Sequence, residues 1–166
     1  NGLDKATGMG PAVDESQLKT DLEYIEIGKK EGAKLLCGGN RLTTGEHAHG
    51  YFVEPTIFDN VDPKSRLWQE EVFGPVLAVA RTNDFDKAIM LANDSPFGLT
   101  CAFYSQDLTL AMRFTEEIEA GMVHLNSPTI GGEAQVPFGG VKCSGVGERE
   151  MAKECMHFFT EQKTVF

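Results

Sequence analysis

The chain has 166 residues, with 15 Lys+Arg against 25 Asp+Glu, a formal net charge of −10, and 41% hydrophobic and 24% charged residues. That length suits one domain burying roughly 70% of its unfolded surface, and the composition is that of an ordinary soluble globular protein. No apolar run approaches the roughly 20 residues of a membrane span, the polar opening Asn1-Gly2-Leu3-Asp4-Lys5 is not a signal peptide, and the acidic balance argues against nucleic acid as a partner.

The first residue is not Met, so the chain is expected to be processed or cut from something longer. The cysteines are Cys37, Cys101, Cys143 and Cys155, with no C-x-x-C pair among them. Neither a zinc ribbon nor a redox motif is indicated. Scattered thiols without a secretory signal read as reduced, in a cytoplasmic protein, and as structural or incidental.

In chain order, Asp14 to Glu31 reads as a helix. Asp14 caps it, with Gln17 placed to return the bond to the cap's own N–H. Leu18, Leu22 and Ile25 share one face. Lys29 and Lys30 suit the negative end of the dipole, and Gly32 supplies a left-handed stop. Lys34 to Cys37 is a short strand, Arg41 to Gly50 a polar surface excursion, and Phe52 to Phe58 a strand that Pro55 confines to an edge or a bulge.

Val76 to Ala80 is a continuous apolar run, as in a strand covered on both faces. Asp84–Asn93 is a helix, Thr100–Tyr104 a strand, Asp107–Ala120 a helix stopped by Gly121, and Met122–Asn126 a strand. This β-α-β-α-β order predicts an α/β fold with a parallel, helix-covered sheet. Phe158 to Phe166 alternates polar and apolar residues and reads as a strand without a later partner in the chain.

The loops do not carry a dinucleotide fingerprint, because Arg81-Thr82-Asn83 after the apolar strand lacks glycine. No phosphate loop of the G-x-x-x-x-G-K-[ST] kind is present either. His47-Ala48-His49 offers two imidazoles without an accompanying acid or thiol ligand set, so no metal site is expected. His124 in a strand and His157 beside Phe158-Phe159 read as structural.

Three stretches carry more than periodicity. Glu70-Glu71-Val72-Phe73-Gly74-Pro75-Val76 leads two acids into a buried strand. Neighbouring side chains diverge, so the acids need not share one site, and a solvated acid beside a strand-entry aromatic would account for the spacing. A carboxylate is also suited to accept both hydroxyls of a ribose, with an aromatic two residues on lying against a planar ring. Asn93-Asp94-Ser95-Pro96-Phe97-Gly98-Leu99-Thr100 is accounted for by turn chemistry alone. Residues 126 to 150 hold six glycines and two prolines in a long segment after a strand, and long loops on an α/β scaffold tend to be functional.

Together these stretches resemble the aldehyde dehydrogenase superfamily. E-E-V-F-G-P-V, N-x-x-x-F-G-L-T and P-F-G-G-x-K-x-S-G-x-G occur in the family's order, and the opening Gly10-Pro11-Ala12-Val13 and the closing Phe159-Thr160-Glu161-Gln162-Lys163-Thr164-Val165 are similar too. The resemblance implies residues 1–157 as the C-terminal part of the catalytic domain and 158–166 as an oligomerisation strand, in a homo-oligomer, dimer or tetramer. It implies NAD or NADP as cofactor and an aldehyde as substrate. Family members attack the aldehyde with a Cys in a G-Q-x-C setting, pass hydride from the hemithioacetal to the nicotinamide, and release the acid with water activated by a Glu. None of the four cysteines here has that context. The nucleophile and the base are therefore expected upstream, no residue of this chain is assigned as catalytic, and the chain alone is expected to be inactive.

The family motif places its ribose-binding carboxylate at Glu71 and its nicotinamide-contacting aromatic at Phe73. Phe138 matches an aromatic lining the aldehyde site. The pattern Pro128-Thr129-Ile130-Gly131-Gly132-Glu133 resembles the branch acting on semialdehydes, with Gly131 donating a backbone N–H to a substrate carboxylate. Glu148 intervenes before Arg149-Glu150, a departure that weakens the transfer of substrate class but not of fold. The other reading is a non-catalytic interaction or regulatory module that keeps the fold; retention of Glu71 and Phe73 speaks against it.

Overall fold

The structure is a computed structural model that describes residues 2–166. The chain divides into two compact units, one ending at Asn83 and the other spanning Asp84–Phe166.

The first unit opens on helix α1, Glu15–Lys30. Asp14 caps it by accepting the Gln17 N–H at 2.9 Å. The reciprocal half of the expected box does not form, because the Gln17 amide turns inward to Asp21 and the Val72 carbonyl. Gly32 is left-handed at φ +84, as expected of the stop. Strands β1 (Lys34–Cys37), β2 (Thr56–Asp59) and β3 (Val76–Ala78) form a sheet in that order. β1–β2 is antiparallel with a bulge between Leu35 and Cys37, and β2–β3 is parallel. Pro55 thus marks neither an edge nor a bulge of its own strand. It lies just outside β2, which is central, and the missing proline N–H removes no ladder bond. A short helix α2, Arg66–Gln69, precedes the site loop. The core is Leu18, Ile25, Val53, Phe58, Val61, Leu67 and Val72, with Phe58 fully enclosed.

In the second unit, α3 (Phe85–Asn93) and α4 (Leu108–Glu117) are capped by Asp84 and Asp107. β5 (Thr100–Phe103) and β6 (Met122–Leu125) form a parallel pair in register, and β4 (Phe97–Gly98) pairs antiparallel with β7 (Val141–Lys142). The strand expected to begin the β-α-β-α-β run pairs instead with β2, so the parallel ladder of this unit is β5–β6. Phe103 stacks on Phe114 at 4.8 Å and meets Phe85 edge-on at 5.6 Å. Arg113 bonds both Glu117 and Asp86 and lies over the Phe85 ring, tying α4 to α3.

The strand expected over 158–166 is not formed. Phe158 and Phe159 close helix α5, Glu154–Phe159, which crosses the 157/158 boundary, and residues 160–166 carry no regular secondary structure and are exposed. A strand needs a ladder partner, and among the described residues none pairs with this segment. Among the described residues no helix is long and apolar enough to cross a membrane.

Candidate functional site

The loop between α2 and β3 separates its two acids. Glu70 is engaged by Arg66, whose Nε and Nη2 donate to the carboxylate at 2.9 and 2.8 Å, and by the Tyr24 hydroxyl at 2.5 Å. The Arg66 guanidinium lies 5.6 Å from the Tyr24 ring centre. These donors, Arg66 first, hold the Glu70 carboxyl down at about 2, and the Tyr24 phenol is pushed up by the same bond. Glu70 is thereby a structural acid. Glu71 is exposed, and among the described residues its carboxylate has no hydrogen-bond partner. Both of its oxygens are open to a ligand.

Phe73 follows at φ +58, a left-handed conformation that costs an L-residue roughly 1–2 kcal/mol. Its ring is 80% exposed, which offers a flat apolar face beside the free carboxylate. Glu71 and Phe73 border an open depression of about 630 Å³ with Met9, Gly74 and Pro75. The structure thus brings the two residues expected to hold a cofactor into one surface, whose lining also includes Glu70, already engaged by Arg66 and Tyr24.

Beneath this loop lies Asp21, which the sequence reading passed over. It is 1% exposed, and its Oδ1 accepts the Gln17 Nε2–H at 2.7 Å. The same amide nitrogen donates to the Val72 carbonyl at 3.2 Å. Burial pushes the Asp21 carboxyl up, against the pull of the Gln17 bond. Gly74 rests directly on this carboxyl: a Cβ there would overlap Oδ1 and reach within 2.7 Å of Cγ. A signal was available, since Asp21 sits four residues before Ile25 and three after Leu18, on the apolar face of α1.

The second unit holds the other expected pair. Phe138 is half-buried, with its backbone N–H and C=O bridged antiparallel to Glu150 at 2.8 Å each way. Gly131 is exposed at φ +90. Its neighbour Gly132 lies against the Phe138 ring, where a Cβ would come within 3.7 Å. Phe138 also borders a cavity of about 120 Å³ with Leu99, Gly140 and Arg149.

The Asn93–Thr100 turn does more than reverse the chain. β4 pairs with β7, the Cys143 N–H donates to the Pro96 carbonyl, and the Gly98 N–H donates to Ser144 Oγ, 46 residues away in sequence. Lys142, itself left-handed at φ +52, drives its ammonium into the turn. Nζ donates to the Asn93 and Ser95 carbonyls at 2.6 and 3.1 Å and meets Glu119 at 2.6 Å. The Asn93 amide grips the end of α4 through Glu117 and Glu119. Gly121 must be glycine, because a Cβ there would overlap the Gly139 carbonyl. The two motifs are therefore one assembly supporting Phe138.

Of the remaining candidates, the His47 ring packs edge-on against Phe52 at 4.8 Å. Burial pushes the Cys101 thiol up, away from nucleophile chemistry. Cys155 Sγ reaches the Ala152 carbonyl.

The chain belongs to the aldehyde dehydrogenase family, whose sequence pattern it matches over residues 1–165. It is similar to the alpha-ketoglutaric semialdehyde dehydrogenase of Bacillus subtilis, at 42% identity over all of the chain and 34% of that protein. It is also similar to the alpha-ketoglutarate semialdehyde dehydrogenase of Haloferax volcanii, at 48% identity over 95% of the chain and 33% of that protein. Among solved structures it resembles a betaine aldehyde dehydrogenase double mutant from Staphylococcus aureus in complex with NAD+, at a TM-score of 0.91 and 38% identity, over 96% of this chain and 32% of that one. The chain thus spans about a third of the length of the relatives it matches.

Proposed function

We propose that this chain is the C-terminal part of the catalytic region of an NAD(P)-dependent aldehyde dehydrogenase, acting in the cytoplasm on an aldehyde that also carries a carboxylate. The observation that carries the reading is the division of the acid pair: Glu70 is saturated with donors while Glu71 stands free beside an exposed Phe73. A free carboxylate accepts two vicinal hydroxyls, and an exposed aromatic face seats a planar ring, so the residues present fit a nicotinamide riboside. The cofactor, when bound, supplies the hydride acceptor. Glu71 fixes the ribose and Phe73 limits the travel of the ring, which matters because transfer depends on placement to within a fraction of an ångström. Phe138 gives the aldehyde an apolar wall, and the Gly131 N–H is the proposed donor to the substrate's distal carboxylate. The semialdehyde class is supported by the two relatives named above and by the Gly131-Gly132-Glu133 loop. The terminal segment 158–166 is proposed to find its strand partner in another subunit.

The test uses the full-length protein. Glu71→Gln keeps the shape and removes the charge, so NAD(P)+ affinity by calorimetry should fall about tenfold or more, the weight of a charge-assisted hydrogen bond. Unchanged affinity would overturn the cofactor assignment. Oxidation of a carboxylate-bearing semialdehyde should exceed that of an uncharged aldehyde of equal length in kcat/KM; the reverse order would overturn the substrate class. The 166 residues by themselves are expected to generate no NAD(P)H from any aldehyde.

A further inference from the structure

The Glu71–Gly74 loop has two unusual features that its own residues do not explain: a phenylalanine held left-handed and a glycine pressed onto a carboxyl. Both point to α1. Asp21 projects from that helix into the core, and its Oδ1 orients the Gln17 amide. That amide holds the Val72 carbonyl, one residue before Phe73. The carboxyl itself forms the floor beneath Gly74. An apolar side chain at 21 would suit the helix face better, since Asp21 Oδ2 is buried without a hydrogen-bond partner, and such an orphan carries a desolvation cost. Asp21 also lines a cavity of about 300 Å³ with Met9, Pro11, Gln17 and Phe73. A costly acid on the face of the helix that the loop packs against implies work done for the loop.

We infer that Asp21 is a positioning residue, which sets the height and conformation of the Glu71–Gly74 loop through the Gln17 amide and through contact with Gly74. The role deepens the proposed cofactor site and rests on it for its consequence: Asp21 touches no ligand, but it determines where Glu71 and Phe73 stand.

The test compares Asp21→Asn with Asp21→Leu in the full-length protein. Asn keeps an Oδ1 acceptor for Gln17 and nearly the same volume, whereas Leu keeps the burial and loses the acceptor. The first readout is amide hydrogen exchange over residues 71–75 without cofactor, which does not depend on what the loop binds. Leu should raise exchange there about fivefold, the equilibrium weight of one intramolecular hydrogen bond, while Asn stays within about twofold of wild type. The second readout is NAD(P)+ affinity, expected to fall about fivefold in Leu and to be retained in Asn. Equal exchange in Leu and wild type, or equal loss in Asn and Leu, overturns the inference. Should Leu not fold, Gly74→Ala serves in its place. Its Cβ collides with the Asp21 carboxyl, so exchange over the loop should rise; wild-type exchange in Gly74→Ala also overturns the inference. If loop exchange responds as expected while Glu71→Gln leaves cofactor affinity intact, the positioning role stands and the cofactor reading falls.

Discussion

Replacing Lys142 by Met removes an ammonium group but keeps most of the stem's volume. The group donates to two turn carbonyls and meets Glu119, and its side chain is 22% exposed, whereas that of Glu119 is 57% exposed. The ion pair, half in water, contributes little, roughly 0–1 kcal/mol. The carbonyl bonds weigh more, because a hydrogen bond to a charged group is worth about 1.5–3 kcal/mol and its loss leaves acceptors at 93 and 95 without their donor. Allowing for partial rehydration, the loss is about 2–3 kcal/mol in all. It falls on the local opening that separates the 93–98 turn from the 141–145 segment. Amide exchange at Cys143 and Gly98, whose N–H groups donate across that junction, should therefore accelerate about 30- to 150-fold in the full-length protein. Lys142→Gly recovers about 1 kcal/mol, since glycine adopts φ +52 without the strain that lysine bears, but gives up the packing of the stem as well. Acceleration below about threefold in Met would refute the clamp.

Phe58→Ala opens the centre of the first unit, where the ring is fully enclosed, and should cost about 3–5 kcal/mol by denaturant titration. Acid should act on two carboxyls in opposite directions. Glu70, held at about 2 in the fold, contributes stability that is present above its ordinary value of 4.5 and lost as pH falls towards 2, so Glu70→Gln should flatten the acid limb of the stability profile. Asp21, pushed up by burial, contributes stability that is present below its unfolded value and lost as pH rises through its folded one. Asp21→Asn should therefore gain on wild type as pH rises from below the ordinary value of 3.8, as read from melting temperatures across a pH series. Deleting residues 158–166 should shift the full-length protein towards smaller assemblies in sedimentation, because Phe158, Phe159, Val165 and Phe166 are all left exposed within the chain.

The local chemistry was legible in the sequence. The three caps Asp14, Asp84 and Asp107 each accept the N–H groups that their positions predict, because a cap is decided within four residues. Glu71, Phe73, Gly131 and Phe138 were assigned by resemblance, and the structure shows the surroundings of each. Long-range partners were not legible. Nothing near Gln17 shows that its amide prefers Asp21 and Val72 to its own cap, and nothing near Phe97 shows a ladder to Lys142. The terminal segment forms no strand within the chain for a related reason. Alternation marks an affinity for a strand partner, but within the chain a helix through Phe159 satisfies the backbone first.

The clasp of Arg66 and Tyr24 on Glu70 also shapes the field over the loop. Adjacent acids would ordinarily present two negative charges to anything approaching, and a dinucleotide brings negative charges of its own. Arg66 compensates one of them at 2.8 Å, so of the adjacent acids only Glu71 presents an uncompensated charge to the dinucleotide of the proposed function. At physiological salt such fields fade over about 8 Å, and the cancellation matters chiefly in the last steps of docking. Loss of Arg66 would release a rival acceptor one residue from Glu71 and add a second uncompensated charge, so on the cofactor reading proposed above association slows even where Glu71 and Phe73 are unchanged.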